Sequence, residues 1–124
     1  VLAAVKQNGY ALKYASLRLK NDLDFVRRCI TEHGYSLLYA GKKIKQNKKI
    51  AKLAIRKYPF ALEYLNKKIK NDKNLILQAL ALNCYSLQFV SKKFLKDSEI
   101  IKLAYEQDNY ILKYLNLESY ASIK

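Results

Sequence analysis

The stretch YALKY at residues 10–14 returns as YSLLY at 35–39, FALEY at 60–64, YSLQF at 85–89 and YILKY at 110–114. Each copy stands 25 residues after the last, with no break in register. Leu12, Leu37, Leu62, Leu87 and Leu112 form a column that is Leu in every copy. Tyr10, Tyr35, Phe60, Tyr85 and Tyr110 precede it, and Tyr14, Tyr39, Tyr64, Phe89 and Tyr114 follow it. A fourth column, Ala4, Cys29, Ala54, Ala79 and Ala104, admits only small side chains. Several columns agreeing in phase identify a tandem repeat, whose units bury their apolar faces by stacking on one another. The chain is therefore a single repeat array over 1–124, with copies at approximately 1–25, 26–50, 51–75, 76–100 and 101–124.

Outward from that stretch, each copy predicts two short helices and a one-turn helical segment. Asp22, Asn47, Asp72 and Asp97 share a column of preferred N-cap types. Apolar residues follow at helical spacing: Phe25, Val26, Cys29 and Ile30, then Ile50, Ala51, Ala54 and Ile55. They make one stripe on a helix of roughly ten residues. Asp24 and Glu99 suit the positive end of the helix dipole. The helix is expected to end at Asn8, His33, Tyr58, Asn83 and Asp108, since Asn, Asp and His tolerate left-handed backbone.

The next column is Gly9, Gly34, Pro59, Cys84 and Asn109. Proline excludes positive φ there and suits the opening of a second helix. In that second helix the two rings, four residues apart, are expected on one face. Ser16, Gly41, Asn66, Ser91 and Asn116 then stand as cap-like positions. A basic turn comes next, holding one apolar residue: Leu19, Ile44, Ile69 or Phe94. Helices this short are not stable alone. The fold class is all-α: an α-solenoid whose Leu and aromatic columns form a continuous core.

Composition agrees. Of 124 residues, 51% are hydrophobic, with three Gly and one Pro, which excludes a disordered tail or a collagen-like segment. No run approaches the eighteen or so apolar residues of a membrane span. Two Cys make no disulfide framework, so a reducing, cytoplasmic compartment is expected. The chain opens at Val1 inside a helix-like pattern and reads as a piece of a longer protein, with no signal peptide in view.

The stretch VLAAVKQNGYALKYASLRLKND (1–22), echoed by HGYSLLYAGKKIKQN (33–47) and YPFALEYLNKKIKND (58–72), resembles the tandem helical repeat family catalogued as domain of unknown function 4116. The resemblance covers all five copies. It weakens at Pro59, Cys84 and Asn109, which replace the family's Gly, and in the last copy, which reads ESYASI for the K-N-D ending. Membership implies tandem arrays in large proteins of intracellular bacteria and of protists, where some carriers are suspected secreted effectors acting in the host cytoplasm. It implies no known activity and supplies no catalytic residues.

The polar residues offer one functional lead. The net charge is +14, from 24 Lys and Arg against 10 Asp and Glu. Arg18 and Lys20, then Lys42, Lys43 and Lys45, then Lys67, Lys68 and Lys70, then Lys92, Lys93 and Lys96 recur after the aromatic segment, one group per copy. With stacked helices about 8–10 Å apart, four copies would lay down a basic ridge about 30 Å long. Such a ridge suits phosphates, an anionic membrane surface or an acidic protein. Set against that, 20 of the 24 basic residues are Lys, in a chain rich in Ile, Asn and Tyr. Genomic bias and the need to keep the array soluble are the plainer account of such lysines, although bias alone would spread Lys over all exposed columns. The last copy lacks them in this turn.

Ten of the fifteen aromatics lie in the two repeat columns and are assigned to inter-copy core. Tyr58, Tyr105 and Tyr120 lie off-column and are candidates for an exposed contact. Cys29, Cys84 and the single His33 do not form a metal-ligand set. No nucleophile with a partnered base appears, and no phosphate-binding glycine loop. No catalytic, cofactor or metal residues are assigned. The expected function is a non-catalytic protein-binding scaffold, with polyanion binding through the lysine ridge as the alternative.

Overall fold

The computed structural model describes residues 9–114. Ala4, Asn8, Asn116 and Tyr120 lie outside them, as do the side chains of Tyr10, Leu112 and Tyr114. The described elements are helical throughout. Four ten-residue α-helices recur at the repeat period: α1 (Leu23–Glu32), α2 (Lys48–Lys57), α3 (Lys73–Leu82) and α4 (Ser98–Gln107). Each begins where its cap predicts. Asp22 Oδ1 accepts from the Phe25 amide at 3.0 Å and Asn47 Oδ1 from Ile50 at 3.1 Å. Asp72 and Asp97 accept from Leu75 and Ile100, each at 3.4 Å.

The helices end at the expected column, but not in the expected backbone conformation. His33, Tyr58, Asn83 and Asp108 have φ of −142°, −153°, −158° and −158°, which is extended rather than left-handed backbone. In the two later copies the polar side chain serves the next element instead. Asn83 Oδ1 accepts from the Tyr85 amide and Asp108 Oδ1 from the Tyr110 amide, both at 2.9 Å. Asn83 and Asp108 thus cap the second segment of the copy.

That second segment is a 3-10 helix in four copies: Gly9–Tyr14, Gly34–Tyr39, Pro59–Tyr64 and Cys84–Phe89. In the last copy Ile111–Tyr114 is one turn of α-helix. A 3-10 helix has three residues per turn, so positions three apart share a face. Gly34, Leu37 and Ala40 are accordingly buried together, as are Cys84, Leu87 and Val90. The rings, four apart, do not share that face. Tyr35, Tyr39, Phe60, Tyr64, Tyr85 and Phe89 are half-buried, and Tyr14 and Tyr110 are 82% and 53% exposed. The Leu column is the true core: Leu12, Leu37 and Leu62 are fully buried and Leu87 is nearly so. Each such burial is worth about 1.5–3 kcal/mol.

Tyr58 and Tyr105 are not free contacts either; both pack half-buried against the main core. Tyr58 meets Tyr35 edge-on with centroids 6.1 Å apart and stacks on Tyr64 at 6.5 Å. The rings thus form a row along the copy boundaries, continued by Phe60 against Phe89 at 5.5 Å.

Stacking runs from one copy to the next. α1 packs on α2, α2 on α3 and α3 on α4, while the 3-10 helices form a parallel series beside them. One apolar cluster runs between the two series from Val26 to Ile111. At Gly34, an added Cβ would lie 2.6 Å from Tyr58 Cβ and 2.9 Å from the Tyr58 amide nitrogen. The glycine is needed for close approach between copies.

Polar ties cross the same boundaries. Lys48 on α2 pairs with the Asp72 cap of α3 at 2.6 Å, and Lys73 on α3 with Asp97 and Glu99 at 2.9 and 2.8 Å. Gln78 Nε2 donates to the Lys52 carbonyl at 3.1 Å. Gln107 accepts from the Cys84 amide at 3.0 Å and donates to the Leu80 carbonyl. Tyr85 OH donates to Asp108 Oδ2 at 2.7 Å.

Candidate anion-binding ridge

After each 3-10 helix the chain must return to the start of the next α-helix, and a single helical turn makes the connection. These turns are Leu17–Lys20, Ile44–Gln46, Lys67–Lys70 and Lys92–Lys96. Where the entering residue is Ser16 or Asn66, its side chain caps the turn, accepting from Leu19 at 3.3 Å or Lys68 at 2.9 Å. The apolar residue points inward, with Ile44 buried and Ile69 and Phe94 packed on the core.

Successive turns touch. The Gly41 amide donates to the Lys20 carbonyl at 2.8 Å, and the Asn66 amide to the Lys45 carbonyl at 3.4 Å. At the third boundary a side-chain bond does the same work: Ser91 Oγ donates to Asn71 Oδ1 at 2.7 Å. All four turns therefore lie along one edge of the array, with their basic residues brought together.

Arg18, Lys42, Lys43, Lys67, Lys68, Lys92, Lys93 and Lys96 are exposed, whereas Lys20, Lys45 and Lys70 are half-buried. Burial holds the Lys45 ammonium below its ordinary pKa. Lys93 lies over the Phe94 ring, 5.0 Å from its centroid. Among the described residues, none of the eleven cations forms an ion pair. Lys96 departs from its group, aligning with Asn21 and Asn71. Leu95 takes the place of Lys20, Lys45 and Lys70, and it packs against the core.

Two open grooves lie between these turns. The first, about 920 Å³, is lined by Leu17, Lys20, Asn21, Tyr39, Lys42 and Lys45 among others. The second, about 580 Å³, includes Glu63, Lys67, Lys70, Asn71, Phe89 and Lys92. Lys20, Asn21, Tyr39 and Lys42 correspond to Lys70, Asn71, Phe89 and Lys92, two periods on. The array thus builds the same groove twice. Tyr39 and Phe89 read in the sequence as core rings, and Asn21 and Asn71 carry no sequence assignment, although Asn21, Gln46 and Asn71 form a readable amide column.

The thiols lie elsewhere. Cys29 and Cys84 are buried, and burial pushes Cys29 up to about 11 and raises Cys84 as well. Both are protonated at neutral pH, the unreactive form of a thiol. Among the described residues, no helix is long and apolar enough to cross a membrane.

The family described as Domain of unknown function (DUF4116) matches residues 1–45, 47–94 and 72–119. The chain belongs to the DUF4116 family. The last two matches begin at Asn47 and Asp72, one repeat period apart and each at a helix N-cap. Each DUF4116 match spans about two copies; the first takes in the groove between Leu17 and Lys45, and the second the groove between Glu63 and Lys92. No curated protein and no solved structure matches the chain.

Proposed function

We propose that this DUF4116 array is a non-catalytic interaction module that holds an acidic protein partner along its turn edge. One observation carries it: eleven cations aligned on a single edge, none paired to a carboxylate within the described residues. Charges left unpaired at a surface steer and register a partner of opposite sign. The grooves between turns add partly apolar walls, through Tyr39 and Phe89, that a polypeptide would fill. The buried thiols suit a reducing compartment, the host cytoplasm if the parent protein is a secreted effector.

Binding of labelled poly-Glu to the 124-residue chain tests this. Affinity is expected to fall about a hundredfold or more when Lys42, Lys43, Lys67 and Lys68 are replaced by Glu, and retained affinity overturns it. The same eleven cations favour a second reading, a binder of nucleic acid or of an anionic lipid surface. Contact with about eight phosphates of DNA would give log K a salt slope near −7.

A further inference from the structure

Resting on that proposed function, the spacing of the turns narrows the partner further. Consecutive turns are in direct backbone contact at two boundaries, Gly41 to Lys20 and Asn66 to Lys45. The cations of the ridge therefore advance by one stacking interval per copy, about 8–10 Å. An extended polypeptide in polyproline II conformation covers about 9 Å in three residues. One acidic side chain every third residue would keep step with one basic turn per copy, and its two spacers would lie over the groove between.

The edge suits discrete charges better than a continuous row of phosphates. Glu63 lines the second groove together with Lys67, Lys70 and Lys92, so that groove is not uniformly basic. Leu17 stands where later copies have Lys42, Lys67 and Lys92, and Leu95 where earlier ones have Lys20, Lys45 and Lys70. Positive charge is thus interrupted at both ends of the edge, and apolar atoms fill the gaps. A peptide that alternates acidic and uncharged residues accommodates those interruptions, whereas a phosphate backbone carries a charge at every step.

We infer that the turn edge recognises an extended acidic segment whose carboxylates recur every third residue, in register with the 25-residue copies. The experiment uses the 124-residue chain and two fluorescent twelve-residue peptides of equal composition and charge. One repeats Glu-Pro-Ser four times; the other holds its four Glu in a block followed by the Pro-Ser pairs. Fluorescence anisotropy should show the phased peptide binding roughly tenfold more tightly, because only it engages all four turns at once. That preference should disappear in the variant Lys42→Ala/Lys67→Ala/Lys92→Ala, with its helical circular dichroism unchanged.

Equal affinity for the two peptides would overturn the register while leaving acidic-partner binding intact. Failure of both peptides and of poly-Glu would overturn the proposed function with it. Displacement of the phased peptide by single-stranded RNA at far lower concentration would also overturn the inference, in favour of a phosphate ligand.

Discussion

Two edges of this array carry lysines at the repeat period, and they use them differently. At the helix starts, Lys48 and Lys73 reach across a copy boundary to the N-cap carboxylates Asp72 and Asp97, so charge is consumed in stacking. At the turns, a few residues away in sequence, eleven cations line the edge without a carboxylate partner in the described residues. Periodic charge alone therefore does not mark a binding surface. The difference between the edges is whether the fold supplies the counter-ion. The first boundary sharpens the contrast, since Leu23 and Asn47 stand where later copies have Lys and Asp.

The comparison predicts a double dissociation between binding and stability. The largest effect belongs to the turn edge. Replacing Lys42, Lys43, Lys67 and Lys68 by Glu should weaken poly-Glu binding by about a hundredfold or more, as like charges meet across the interface. The thermal midpoint should hardly move, because no ion pair is lost. A large loss of stability would show that these lysines are structural after all.

At the helix-start edge the expected effects are smaller and of the other kind. Asp72→Ala removes both the cap of α3 and the partner of Lys48, and should cost about 1–2 kcal/mol in urea denaturation without changing peptide affinity. Stability should also fall in acid. Hydrogen bonding from Lys48 and Lys73 holds the carboxyls of Asp72 and Asp97 below their ordinary 3.8. A depressed carboxylate contributes fully above its unfolded pKa, and that contribution is lost as pH falls through the folded value. The unfolding midpoint should therefore be level above about pH 5 and decline below about pH 4. Asp72→Asn is the mildest test. It keeps the cap, as Asn47 does naturally, and loses only the half-exposed pair with Lys48, for about 1 kcal/mol. It should also flatten part of the acid limb.

Much of this was legible in the residues. A column of Asp22, Asn47, Asp72 and Asp97 can do little else but start helices, because capping depends on side-chain type and local position. The Leu column marks the core for the same reason: no other environment demands Leu five times at one phase. The second segment was harder. Rings four residues apart suggest an α-helical face, whereas the decisive signal lies three apart, in Gly34, Leu37, Ala40 and Cys84, Leu87, Val90. The helix exits misled for a related reason. Asn83 and Asp108 are polar because they cap the turn after them, a role that looks identical to left-handed termination in a bare sequence.

Pairing across copies was the least legible. Lys48 and Asp72 lie 24 residues apart, and nothing local joins them until α2 and α3 are stacked. Gln107, which ties the end of α3 to the start of the 3-10 helix after it, stands in a column that holds Gln7, Glu32, Lys57 and Leu82 in the copies before it, with no consistent residue type to signal the role. For the ridge, the lysines and their phase could be read directly from the residues. Alignment along one edge, absence of ion pairs and the grooves between turns required the packed array.

Lysine footprinting of the 124-residue chain by acetylation and mass spectrometry tests the division of labour most directly. Lys73, held above its ordinary pKa by Glu99 and Asp97, should react slowly whether or not the phased acidic peptide is present. Lys42, Lys43, Lys67, Lys68, Lys92 and Lys93 should react readily alone and become protected together when the peptide is added. Protection at the exposed Lys52 of α2 and Lys102 of α4, with the turn set unchanged, would contradict the account.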